Sequence, residues 1–99
     1  MHFLVDANDR AGSAQLRRDT RALHLEYVSS HVQSVLAAGA KLDGDGTTVT
    51  GSFFILDVGS SDQAKEFVDN DPYTLSKVFE TVTITAWRKS FFNYEHCEE

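Results

Sequence analysis

Polar and apolar positions alternate from His2 to Asn8. Phe3, Val5 and Ala7 fall on one side and Leu4, Asp6 and Asn8 on the other, the two-residue period of a half-buried strand. Asp9 to Ser13 reads as a loop, with Ser13 placed to cap the helix that follows. From Ala14 to about Ala38 there is no Gly or Pro and the composition favours helix, with Gly39 as the expected stop. The apolar residues of this stretch do not form one stripe. Leu16, Leu23 and Tyr27 make one group and Leu25, Val28, Val32, Val35 and Leu36 another. His24 and His31 fall on the boundary between them.

Ala40 to Thr47 holds a short strand or extended loop, ending in the turn Asp43-Gly44-Asp45-Gly46, a strong hairpin signal. Thr48 to Val58 is the next strand. Its run Phe53 to Leu56 is apolar on both faces, as in a central strand covered twice. Ser60 and Gln63 have capping-box spacing at the start of a short helix that buries Ala64, Phe67 and Val68. About one helical turn after Pro72 leads to a last strand from Val78 to about Lys89. There Val82, Ile84 and Ala86 point one way, and Phe79, Thr81, Thr83, Thr85 and Trp87 the other. That second face suits a wet cleft or a dimer interface. The order predicts an α+β, ferredoxin-like βαββαβ fold: one antiparallel sheet with two helices on one face. A second copy would cover the other face, making a homodimer through the sheet.

Composition narrows the function. Ninety-nine residues make a single domain, 1–99, with a core over 1–91 and an acidic tail, 92–99, expected to fray. A chain this short leaves room for a pocket that is shallow or shared between two copies. A net charge of −6 argues against a nucleic-acid partner. The longest apolar run is far short of a membrane span, and no secretion signal is visible, so the expected location is cytoplasmic. The single cysteine, Cys97, allows no internal disulfide and no thiolate metal cluster. The Asp43-Gly44-Asp45-Gly46 spacing has the start of a calcium loop but lacks its later glutamate. No nucleotide-binding glycine motif, Gly-x-Ser-x-Gly elbow or HExxH is present, so no cofactor and no metal are expected.

Candidate chemistry centres on Asp69-Asn70-Asp71-Pro72-Tyr73 and on His24. Asp71 before Pro72 is a helix-cap signature, and Asp69 is a competing carboxylate. A capping carboxylate is also held still, as a residue that orients an imidazole must be. Beside a carboxylate, His24 becomes a candidate acid/base group. Arg21 and Arg17, one and two turns earlier, could grip an anionic substrate, although exposed helix arginines are usually a solvated face. His31 is about 10 Å along the helix from His24, too far to share a metal ion.

Arg17-x-x-x-Arg21-x-x-His24-Leu25, Gly51-Ser52 and Asp69-Asn70-Asp71-Pro72-Tyr73, in that order, resemble the YciI-like (YCII-related) family over almost the whole chain, to about Phe91. The resemblance implies a dimeric α/β barrel type of fold and an active-site pair, His24 and Asp71, with Arg17, Arg21, Ser52 and Tyr73 lining a substrate cleft. Most members have no assigned reaction, and one relative is a dehydrochlorinase acting on a chlorinated hydroxyquinol. The implied function is a cofactor-free small-molecule enzyme of the elimination or isomerisation type. The alternative is a non-catalytic small-molecule-binding or interaction module on the same dimeric fold. Three departures stand out: Leu42-Asp43-Gly44 replaces a frequent Gly-Pro, Lys77 replaces a frequent glycine four residues after the tyrosine, and the hairpin is shorter.

Overall fold

The computed structural model describes residues 1–97. Strand β1 (His2–Asp9) leads to helix α1 (Ala14–Ser30), a single 3-10 turn (Val32–Ser34) and strands β2 (Val35–Leu42) and β3 (Val49–Asp57). Helices α2 (Ser61–Asp69) and α3 (Pro72–Leu75) precede strand β4 (Phe79–Trp87). The sheet has the order β2-β3-β1-β4, and every neighbouring pair is antiparallel. Phe3 and Val5 of β1 and Phe54 and Leu56 of β3 form the core with Ala64, Phe67 and Val68 of α2, and Tyr27 and Val28 of α1 pack against it. The helices therefore cover one face of the sheet. Each fully buried large side chain contributes about 1.5–3 kcal/mol of apolar transfer. Leu4, Phe53 and Ile55 project from the other face. Among the described residues no helix is long and apolar enough to cross a membrane.

The Ser60–Gln63 spacing forms its cap: Ser60 Oγ accepts from the Gln63 N–H at 3.2 Å, while Gln63 Oε1 reaches one residue past the N-cap, to the Gly59 N–H at 2.6 Å. Ser13 occupies the N-cap position of α1, but its hydroxyl donates to the Arg10 carbonyl instead of accepting from the helix. The larger correction is the length of α1, which ends at Ser30 and not near Ala38. His31 Nδ1 and Ser30 Oγ both bond the Tyr27 carbonyl, at 2.9 and 2.7 Å, and the His31 N–H turns to the Val28 carbonyl. With the ladder interrupted, Val35–Leu42 pairs along β3. Gly39 thus ends no helix; it lies opposite Phe53, where an added Cβ would stand 2.9 Å from the ring.

Phe79 also differs from its expected direction. Asn8 pairs with Thr81 but Asp9 with Phe79, so Glu80 is an extra residue that reverses the alternation. Phe79 packs edge-on against Tyr73 on the helix side. Of the tail expected to fray, 92–99, residues 98 and 99 lie outside the described residues; within the rest, Glu95–His96 (β6) pairs with Phe91–Phe92 (β5), and the Cys97 N–H bonds the Ser90 carbonyl.

Helix α3 closes in a Schellman motif: Val78 N–H bonds the Tyr73 carbonyl at 2.9 Å and Lys77 N–H the Thr74 carbonyl at 3.0 Å. Lys77 occupies the left-handed position, φ 63°. A side chain there costs about 1–2 kcal/mol, part of which glycine loses again through its freedom in the unfolded chain. Lys77→Gly is therefore expected to stabilise the protein by about 0.5–1 kcal/mol, read as a higher urea midpoint at unchanged m.

Candidate active site

Asp71 caps α3. Its Oδ1 accepts from the Tyr73 N–H at 2.8 Å, and Pro72 fills the first helical position, where no N–H is needed. The side chain has no exposure at all, so both oxygens must find donors inside the protein. The second donor is His24 of α1, whose Nδ1 lies 2.8 and 3.0 Å from the two oxygens. An ionised carboxylate only accepts, which puts a proton on Nδ1. The opposite nitrogen, Nε2, has no partner among the described residues, and His24 lines the main cleft. Asp69, the competing carboxylate, is instead half exposed and paired with Lys65.

The cleft has a volume of about 1020 Å³ and lies between α1, the start of β3 and β2. Its described lining residues all belong to one chain. The early end of α1 makes this possible, because Ala38, Gly39 and Ala40 of β2 form a floor of small residues. Leu25, Val28 and Phe54 supply apolar wall, and Arg10, Arg18, Arg21, Thr48 and Thr50 polar wall.

Tyr73 is buried, and its ring stacks on His24 with centroids 4.0 Å apart and planes at 16°. Burial pushes the phenol above its ordinary range, with Arg17 and Arg21 opposing, so Tyr73 remains a neutral hydroxyl at neutral pH. Arg17 Nη2 donates to Ser52 Oγ at 2.5 Å and to the Gly51 carbonyl at 3.0 Å, and Nη1 to both oxygens of Asp9 at 3.2 and 3.3 Å. Arg21 makes no hydrogen bond or ion pair among the described residues. Five of the six expected residues, His24, Asp71, Arg17, Ser52 and Tyr73, thus form one connected set, and Arg21 stands beside them on the cleft wall.

The sequence reading assigned Asp9 to a loop and missed it. The signal was present: Asp9 continues the Phe3, Val5, Ala7 alternation, which places a carboxylate in phase with the core. Burial lifts its carboxyl above the ordinary range by more than the Arg17 guanidinium lowers it.

Residues 1–88 match the family model of the YCII-related domain. The chain belongs to the YCII-related family. It is 28% identical over 98 residues to Protein YciI of Escherichia coli, covering 92% of this chain and all of that one. It is 29% identical over 79 residues, 72% of this chain and 81% of the other, to the derivative of benzaldehyde biosynthesis cluster protein C of Emericella nidulans. Among solved structures it resembles the 5-chloro-2-hydroxyhydroquinone dehydrochlorinase TftG of Burkholderia phenoliruptrix, in complex with 2,5-dihydroxybenzoquinone. That likeness has a TM-score of 0.83 and 34% identity, over 90% of this chain and 95% of that one. A protein of Agrobacterium tumefaciens shares the fold, with a TM-score of 0.56 and 16% identity over 93% of this chain and 96% of that one. The antiparallel α+β fold is therefore that of a family containing a small-molecule enzyme.

Asp71→Asn separates the two bonds of the carboxylate. The single amide oxygen is expected to stay with the Tyr73 N–H, which turns the NH₂ toward His24 and moves the ring proton to Nε2. Nitrogen-15 shifts of the imidazole are expected to report this exchange, with a stability loss of about 1–3 kcal/mol. An unchanged ring spectrum would mean that Asp71 acts on α3 alone.

Proposed function

We propose that this chain is a cofactor-independent small-molecule enzyme in which His24 moves a proton through Nε2 while Asp71 holds its Nδ1–H. The observation that carries this reading is the 2.8 Å contact between His24 and the buried Asp71, with Nε2 left without a partner among the described residues beside a cleft. The likeness to a dehydrochlorinase at 34% identity supports the reaction class, proton-transfer-driven elimination or isomerisation. The substrate is a small, oxygenated, acidic compound, of which an aromatic or quinonoid ring is the leading case.

In an elimination, Nε2 takes a proton from a substrate O–H or C–H. The electron pair left behind moves into the new double bond, and the leaving group departs with its bonding pair as an anion. The imidazolium then returns its proton to solvent. Asp71 stabilises the cation formed on the way and fixes the tautomer that begins the cycle. Arg21 offers a guanidinium to the substrate anion, with Ser52, Tyr73 and Arg17 completing the wall.

Two further parts of the reading concern the setting. Leu4, Phe53 and Ile55 on the helix-free face support a homodimer through the sheet. The remaining part is a cytoplasmic location, which cell fractionation checks.

The enzyme reading is tested by chloride release from 5-chloro-2-hydroxyhydroquinone and from a panel of related hydroxylated and halogenated quinols. His24→Ala is expected to lower turnover by about 10²–10⁴-fold, and His24→Gln, whose amide NH₂ leaves the buried Asp71 a donor, is measured beside it as the folded control. Full turnover by His24→Ala would remove the reading. Binding of 2,5-dihydroxybenzoquinone by wild type, without conversion of any panel member, would favour the non-catalytic binding module. Sedimentation checks the assembly: wild type is expected to be a dimer and Ile55→Asp a monomer, whereas a monomeric wild type would exclude the sheet interface.

A further inference from the structure

A hydrogen bond at Nδ1 fixes one point of an imidazole and a direction. The tilt of the ring is then set by its Cβ–Cγ tether and by what lies against its faces. Phe54 stands tilted with its centroid 6.0 Å away, and the Tyr73 ring is stacked on His24 at 4.0 Å. Tyr73 in turn carries the Arg17 guanidinium, whose central carbon lies 4.5 Å from the Tyr73 centroid. Arg17 is nearly enclosed, with 11% of its side chain exposed and 10% of that of its partner Asp9. Its donors go to Asp9, Gly51 and Ser52, and Asp9 cancels its charge. A guanidinium so occupied and neutralised holds the wall together, and anion recognition falls to Arg21.

We propose that Asp9 is a positioning residue: by fixing the planar fork of Arg17 it keeps Tyr73 flat against His24 and so sets the direction in which Nε2 faces the cleft. The catalytic consequence rests on His24 being the proton-transfer group; the positioning itself does not. Asp9 lines the cleft, but both its oxygens are held by Arg17 Nη1, and it acts through two intermediaries, Arg17 and Tyr73. Lysine cannot replace Arg17 in this role, because a point charge cannot serve Asp9, Gly51 and Ser52 from one plane.

The test is an NMR measurement of the His24 ring protons, which the Tyr73 ring current displaces upfield. Asp9→Asn is expected to reduce that displacement. Asp9→Asn alone leaves a buried guanidinium unpaired, so the double variant Asp9→Asn/Arg17→Met, with no unpaired interior charge, is measured beside it. The double variant is expected to lose the displacement while keeping the spectrum of the distant β5–β6 hairpin. In wild type, Overhauser contacts from the Arg17 guanidinium protons to the Tyr73 ring are expected. Their absence, or wild-type His24 shifts in either folded variant, would overturn the proposal. On a turned-over substrate, Asp9→Asn is expected to lower kcat roughly 10–100-fold with KM little changed. A raised KM at constant kcat would make Arg17 a substrate-binding group instead and would also overturn it. If wild type turns nothing over, the enzyme reading fails while the NMR result still decides the role of Asp9.

Discussion

The buried carboxylate of Asp71 is the interaction on which the site depends. It has no access to water, so its charge is tolerable only while donors from the protein surround it. One donor is local, the Tyr73 N–H two residues on, and it comes with the short helix that Asp71 caps. The other is remote, the imidazole of His24, forty-seven residues earlier in the chain. A single side chain therefore ends one element and holds another against it. The contact between α1 and α3 and the orientation of the histidine are one physical event.

Around this contact the cleft is built by subtraction. Helix α1 ends after Ser30 because two side chains capture the Tyr27 carbonyl, and the chain that follows becomes the edge strand β2. Small residues on that strand leave the space in front of His24 unfilled. Gly51 permits a close approach of β3 to β1, since a Cβ there would stand 2.0 Å from the Ala7 carbonyl oxygen. Ser52 and the Gly51 carbonyl are thereby brought within reach of Arg17. Strand β3 and the middle of α1, more than loops, carry Ser52, Arg17 and His24, which would suit the proposed site, where geometry must be held before a ligand arrives.

Elements governed by near neighbours were legible in the sequence. The alternation of His2 to Asn8, the Ser60 and Gln63 cap, the Asp43 to Gly46 turn and the Asp71-Pro72 cap each involve residues a few positions apart, and each forms as its spacing indicates. The ferredoxin-like order follows from them. The motif spacing also marked His24 and Asp71 as residues to be compared, although helix capping alone explains an Asp before a Pro.

Contacts between distant residues decided the rest. Helix propensity continues past Ser30, but β3 offers an unpaired edge whose backbone groups need partners, and pairing along Val35 to Leu42 satisfies them. Phe79 turns to the helix side because Glu80 is an extra residue against β1, a mismatch visible only once the strands are aligned. Asp9 and Arg17 pair across the β1–α1 connection, and Arg17 meets Ser52 thirty-five residues later. Local spacing determined the type and order of the main elements and the caps of α2 and α3. Only the folded chain decided where α1 stops, which carboxylates are buried and which cation each one meets, because burial and long-range pairing set those energies.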